Sequence, residues 1–191
     1  MASTTTPRPS ARDRLLAAAD ELFYGEGVNT VGIDRVIERA DVSKASLYKI
    51  FGSKDQLIRA YLEARHARWE ERVTAELASR YATPRDRLLG VFDVLGDLFA
   101  EPDFRGCAFI NASAEAQPGS TVAAATDDFR AWVHALFVRL AGEAGAPDPV
   151  ALGRQLVLLY DGASIVAQMD HDASAGAQAR AIAAGLLAWA P

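Results

Sequence analysis

Residues 30–54, TVGIDRVIERADVSKASLYKIFGSK, hold two helix-length segments separated by so short a connection that they must cross as a helix-turn-helix. Thr30 is expected to cap the first, its hydroxyl accepting from an orphan amide one turn on, and that helix should run to about Arg39. Ala40, Asp41 and Val42 make the turn. Ser43 caps the second helix, over Lys44 to about Phe51, where Gly52 stops it. Leu47, Ile50 and Phe51 fall at i, i+3 and i+4 and are expected to pack inward with Val36, Ile37 and Val42. Lys44, Ala45, Ser46, Tyr48 and Lys49 are then left outward, a set of cations, hydroxyls and one small residue that suits a major groove.

All three lysines of the chain, Lys44, Lys49 and Lys54, fall in this stretch. Chance clustering is one explanation. Phosphate contact is the other, since a compact ammonium suffices there and the first-turn amides behind Ser43 add donors and a favourable dipole. The net charge of −5 fits such a head only when divided by region. Residues 1–60 carry nine Lys/Arg against eight Asp/Glu, whereas residues 61–191 carry eleven against seventeen. Within 43–60, Lys44, Lys49, Lys54 and Arg59 face Asp55 alone, so the surface that would meet DNA is locally basic.

In this order, Val42-Ser43-Lys44, Leu47-Tyr48, Phe51 and Ser53-Lys54 resemble the DNA-binding motif of the TetR-type transcriptional repressors. The resemblance is dense over roughly the first 60 residues. Asp41 and Ala45 stand where glycine is common in that family, and Lys49-Ile50 replaces a pair that often carries histidine or arginine and then an aromatic. The resemblance implies an all-α chain of about nine helices, with an N-terminal helix-turn-helix head and a C-terminal helical bundle. It also implies a homodimer on a palindromic double-stranded DNA operator and a small-molecule effector. The DNA-facing residues would be Thr30, Ser43, Lys44, Ala45, Ser46, Tyr48, Lys49 and Lys54.

Punctuation along the chain gives the same division. Residues 1–9, rich in threonine and proline, read as a flexible tail. Helix one is expected from about Ser10, with Asp13 three residues on, to Gly25 and Gly27, and it completes a head over 10–52. Ser53 and Gln56 form an S-x-x-Q box opening a long connecting helix, 53–80, on which His66 is expected to be a surface residue. Beyond it, 81–191 reads as a ligand-binding and dimerisation region. Thr83-Pro84 opens a helix to about Ala100, and shorter and longer helices follow over about 106–116, 120–142, 149–169 and 174–189.

The last two long helices are apolar around most of their circumference, so a second buried face is implied. Either they are central to a large bundle or they meet a symmetry mate, for which Leu156 and Leu186 are the candidate contacts. Between the elements, Phe109, Trp132 and Tyr160 with Asn111, Asp161 and Gln168 suit a mainly apolar chamber with a few orienting polar groups, for a lipophilic or aromatic effector. Each aromatic taken singly is also ordinary core.

No metal site, cofactor or enzyme is expected. Asp170, His171 and Asp172 are adjacent but lack a second cluster at ligand spacing, and read as an inter-helix loop. The single cysteine, Cys107, reads as a small buried hydrophobe. The opening lacks the apolar region of a secretory signal and no apolar run reaches the length of a membrane span, so a cytoplasmic protein is expected. Two functions stay open: a ligand-responsive regulator, or an all-α small-molecule-binding or catalytic bundle whose head no longer binds DNA.

Overall fold

The computed structural model describes residues 9–189, and the expected N-terminal tail lies, apart from Pro9, outside the described residues. Nine α-helices and no strand occur among them: α1 Ala11–Glu26, α2 Ile33–Ala40, α3 Lys44–Phe51, α4 Lys54–Arg80, α5 Pro84–Phe99, α6 Ala108–Glu115, α7 Thr121–Glu143, α8 Pro149–Met169 and α9 Ala175–Trp189. Most helix starts are where a short oxygen-bearing side chain can take an orphan amide. Ser10, Ser43, Ser53, Thr83, Ser120 and Asp148 each accept from the amide three residues on. Each such cap is worth about 1 kcal/mol.

Thr30 is not one of these caps. The chain makes a turn over 28–30, buries Val31 completely, and enters α2 two residues later than the sequence suggests, with Gly32 at the cap position and no side-chain bond. Seating Val31 in the core takes the residues that would otherwise have opened the helix. The end of α2 explains a departure from the family pattern. Asp41 lies in the left-handed region at φ 51°, the conformation for which glycine is the usual residue and Asp or Asn the common substitute. Arg14 braces this turn, donating to the carbonyls of Ala40 and Asp41 at 3.0 Å each.

In the head, α1, α2 and α3 close over Leu15, Ala19, Val31, Val36 and Leu47. The body is built from α5, α7, α8 and α9, with α4 reaching from the head onto α5 and α7. Phe92 and Phe137 are fully enclosed at its centre. Where α5 crosses α9, Gly96 and Gly176 meet backbone to backbone. A β-carbon placed on Gly176 would stand 2.6 Å from the Gly96 α-carbon.

By length and composition α8 could cross a membrane, contrary to the expectation that no such run exists. In this fold it is a bundle helix: Leu152, Leu156, Val157 and Tyr160 are buried and it packs on α7 and α9.

Candidate DNA-binding face and effector cavity

Leu47 anchors α3 to the head with no exposed surface, and the opposite face of the helix carries the residues singled out above. Lys44, Ala45, Tyr48 and Lys49 are exposed and Ser46 is half-buried. Ile50 joins that outer face at 37% exposure instead of packing inward. At i+3 from Leu47 it falls on the flank of the stripe, whereas Phe51 at i+4 stays half-buried.

Ser43 serves the helix start, accepting from the Ser46 amide at 3.2 Å. Lys44 is tied back to α2 by an ion pair with Asp34 at 2.9 Å, while Lys49 and Lys54 have no ion-pair partner among the described residues. The two free ammoniums are therefore the ones ready for phosphate. Lys54→Ala should weaken binding to every duplex and reduce the slope of log affinity against log salt by about 0.9. Asp34→Asn, by releasing Lys44, should raise affinity for all sequences roughly two- to fivefold at low salt. Fluorescence anisotropy across a salt series reads both.

A cavity of about 360 Å³ opens into the body, lined by Trp69 of α4, Leu95, Leu98 and Phe99 of α5, Phe104, Cys107 and Phe109 around α6, and Tyr160 and Ser164 of α8. Its volume is that of a small-ligand site. Tyr24 of the head and Arg65, Arg68 and Arg72 of α4 stand at its mouth with Glu101 and Asp103. Two of the expected ligand residues, Phe109 and Tyr160, line it. The other four do not. Trp132 stands behind a stack in which Phe109 and Phe129 lie parallel at 3.6 Å. Asp161 is paired with Arg130 and lies outside the cavity. Asn111 and Gln168 meet each other at 3.4 Å on the far side of α6, in a separate cleft.

His66 is the residue sequence reasoning placed worst. Its ring is ringed by Phe129 and Trp132 at 5.3 Å and Phe109 at 6.3 Å, and its Nε2 is buried without a hydrogen-bond partner. No local signal in the arginine- and glutamate-rich run of α4 marks it. Cys107 is half-buried, and burial of its thiol pushes its pKa up, outweighing the Ile110 and Phe109 amides that pull it down. Asp172 accepts from the Ser174 amide at 2.8 Å and from Gln178, so this carboxylate of the 169–172 segment serves the start of α9.

Head and body are joined by more than α4. The Tyr24 hydroxyl accepts from the Arg105 amide at 2.9 Å and donates to the Gly106 carbonyl at 3.1 Å. The Arg65 guanidinium lies over the Tyr24 ring at 3.6 Å and pairs with Asp20. At the end of α6, the Asn29 amide donates to the Glu115 carboxylate at 2.8 Å, and the Asn29 side chain donates to the Glu115 carbonyl at 3.1 Å. The loop and helix that wall the cavity are thus clasped to α1 and to the α1–α2 turn.

The outer face of α8 and α9 is largely apolar, with the exposed Arg154 and Gln155 one turn before Leu158. Leu158 is 71% exposed, Met169 72% and Ile182 54%, with Val150 and Val166 beside them and the small Ala151, Gly162, Ala181 and Gly185 between. Leu156 points the other way, fully buried within the chain, and so is not available to a second copy. Leu186 is half-buried on the flank. Periodicity marks α8 as apolar on two faces; which face lies inward depends on the packing of α7.

A family model described as bacterial regulatory proteins, tetR family, matches residues 15–61. Over 105 residues the chain is 31% identical to the HTH-type transcriptional repressor NemR of Escherichia coli K12, covering 54% of this chain and 53% of that protein. The match therefore spans about half the length of this relative. Over 57 residues, 30% of this chain and 26% of the relative, it is 44% identical to the HTH-type transcriptional activator FasR of Mycolicibacterium smegmatis. Among solved structures, SCO4454, a TetR-family transcriptional regulator from Streptomyces coelicolor, superposes with a TM-score of 0.87 at 36% identity, covering 94% of this chain and 95% of that one. The reduced form of E. coli NemR superposes with a TM-score of 0.81 at 26% identity, covering 92% and 95%.

Proposed function

The chain belongs to the TetR family of bacterial transcriptional regulators, and from that premise we propose that it is a cytoplasmic repressor that holds a palindromic operator as a homodimer and releases it on binding a small apolar molecule. The division of labour follows the sequence reading: 10–52 bind DNA, 53–80 connect, and 81–191 dimerise and take the effector. The DNA-contacting set is Ser43, Lys44, Ala45, Ser46, Tyr48, Lys49 and Lys54, with Thr30 on the adjoining exposed turn. The dimer seam is the outer face of α8 and α9 around Leu158 and Ile182.

The observation that carries the effector half of this proposal is the cavity between α4, α5, α6 and α8, mostly apolar inside and reached past Tyr24. A molecule entering it presses on Phe109, whose stack with Phe129 stands against His66 of α4. It also presses on the 105–107 loop that Tyr24 holds. The first route ends on α4, which joins body to head, and the second in the head itself. A ligand lowers operator affinity only by its preference for the non-binding arrangement, and a tenfold loss needs about 1.4 kcal/mol. Burying one ring-sized group supplies roughly 1.5–3 kcal/mol, so a single aromatic ring is enough.

A thermal-shift screen of ring-bearing lipophiles, followed by DNA release with each compound that binds, tests this. Compounds that bind in the cavity should release operator DNA, and binding without release would overturn the effector role. Tyr24→Phe keeps the ring under Arg65 and removes both hydrogen bonds to the loop. It should cut the ligand-induced loss of operator affinity by about threefold or more, in the range of 0.5–2 kcal/mol seen for coupling residues. Ligand affinity measured directly on the same variant separates lost coupling from lost binding.

A further inference from the structure

The three arginines at the mouth of the cavity are already committed. Arg65 and Arg68 share Asp20 at 2.8 Å, and Arg72 pairs with Glu101. An anionic ligand would have to draw an arginine from its carboxylate and leave that carboxylate unpaired. Inside, Ser164 donates to the Tyr160 carbonyl at 2.9 Å, and burial keeps the Cys107 thiol protonated.

Two further polar groups, on Trp69 and Tyr160, face each other beside the cavity. The Trp69 Nε1–H is buried with no acceptor in hydrogen-bond geometry, a state that native interiors rarely leave uncompensated. Its polar neighbour is the Tyr160 hydroxyl, which makes no well-formed hydrogen bond to the protein among the described residues. Burial, more than any neighbouring charge, holds Tyr160 far above the ordinary tyrosine range, so it keeps its proton. A hydroxyl has one proton to give and two lone pairs to receive with. If the Trp69 N–H donates to the Tyr160 oxygen, the Tyr160 proton is left to point at the occupant, and each bond strengthens the other.

We infer that the cavity takes a neutral, ring-bearing molecule with a carbonyl-type acceptor, its ring against Phe99, Phe104 and Phe109 and its oxygen held by a relay from Trp69 N–H through Tyr160 O–H. This rests on reading the cavity as the effector site. The relay has no use for a ligand lacking an acceptor, and the paired mouth gives no reward to a carboxylate.

Three probes of matched shape test it on the full-length protein: naphthyl methyl ketone, ethylnaphthalene and naphthoate, titrated by calorimetry. The ketone should bind the unsubstituted protein about tenfold more tightly than ethylnaphthalene, equivalent to about 1.4 kcal/mol, and naphthoate should bind most weakly. In Tyr160→Phe the ketone's advantage over ethylnaphthalene should vanish, and in Trp69→Phe it should shrink. The comparison of probes in the unsubstituted protein stands whatever the variants' stability. Equal binding of ketone and hydrocarbon, tightest binding of naphthoate, or an advantage that survives Tyr160→Phe would overturn the relay. In those cases release of operator by any probe leaves the effector role intact. Failure of all three to bind would overturn both.

Discussion

Leu158→Glu yields a monomer and lowers operator affinity by roughly a hundredfold or more. Leu158 is 71% exposed at the centre of the outer face of α8, with Ile182 of α9 54% exposed beside it. A two-fold axis through that face brings each substitution into the seam twice, so two carboxylates are desolvated among apolar groups without partners. One helix-turn-helix reads too few base pairs to be specific, and two joined rigidly read a palindrome. Losing the partner therefore removes most of the specific affinity, about 2.7 kcal/mol for a hundredfold. Light scattering with an operator titration reads both consequences. Leu156→Glu should behave differently, because that side chain is wholly inside the chain and the variant should fail to fold. A Leu158→Glu protein that remains dimeric would place the seam elsewhere.

Gly176→Ala is the second large effect, and it acts on stability. The added methyl group would stand 2.6 Å from the Gly96 α-carbon and 2.9 Å from the Phe92 carbonyl oxygen, both backbone atoms that cannot swing aside. The α5 and α9 helices must separate, at a cost of ~3 kcal/mol, the upper part of the range for overpacking. For a chain of this size that lowers Tm by roughly 6–12 °C. Because α9 contributes Ile182 to the apolar outer face, dimer affinity should fall as well. A melting temperature within about two degrees of the parent protein would contradict so close a crossing.

The features that could be read from the sequence are those set by local chemistry. Ser10, Ser43, Ser53, Thr83, Ser120 and Asp148 announce helix starts because a short side-chain oxygen before an apolar run has one structural use there. Lys44, Tyr48 and Lys49 are outward because Leu47 is inward. Most of the errors concern relations between elements. Thr30 has the chemistry of a cap, but Val31 is drawn into the core and delays the helix. Leu156 and Leu158 are alike in sequence, and only the position of α7 sends one inside and the other out. Asn111, Asp161 and Gln168 were plausible cavity residues by composition; the orientations of α6 and α8 turn them away. His66 lies among charged neighbours on α4 and is enclosed by Phe109 of α6 and Phe129 and Trp132 of α7, a setting no window along α4 contains. The glycine pair at 96 and 176 is eighty residues apart and has no local signature.

The central claim is that one protein couples specific, dimeric DNA binding to occupancy of the cavity. The most direct measurement is an anisotropy titration of fragments from upstream of its own gene against scrambled duplex at physiological salt, with and without a saturating cavity ligand. One fragment should be bound by two protomers at least ~10³-fold more tightly than scrambled duplex, with the ligand lowering that affinity about tenfold or more. Equal affinity for the fragment and the scrambled duplex, or specific binding unchanged by a ligand shown to fill the cavity, would contradict it.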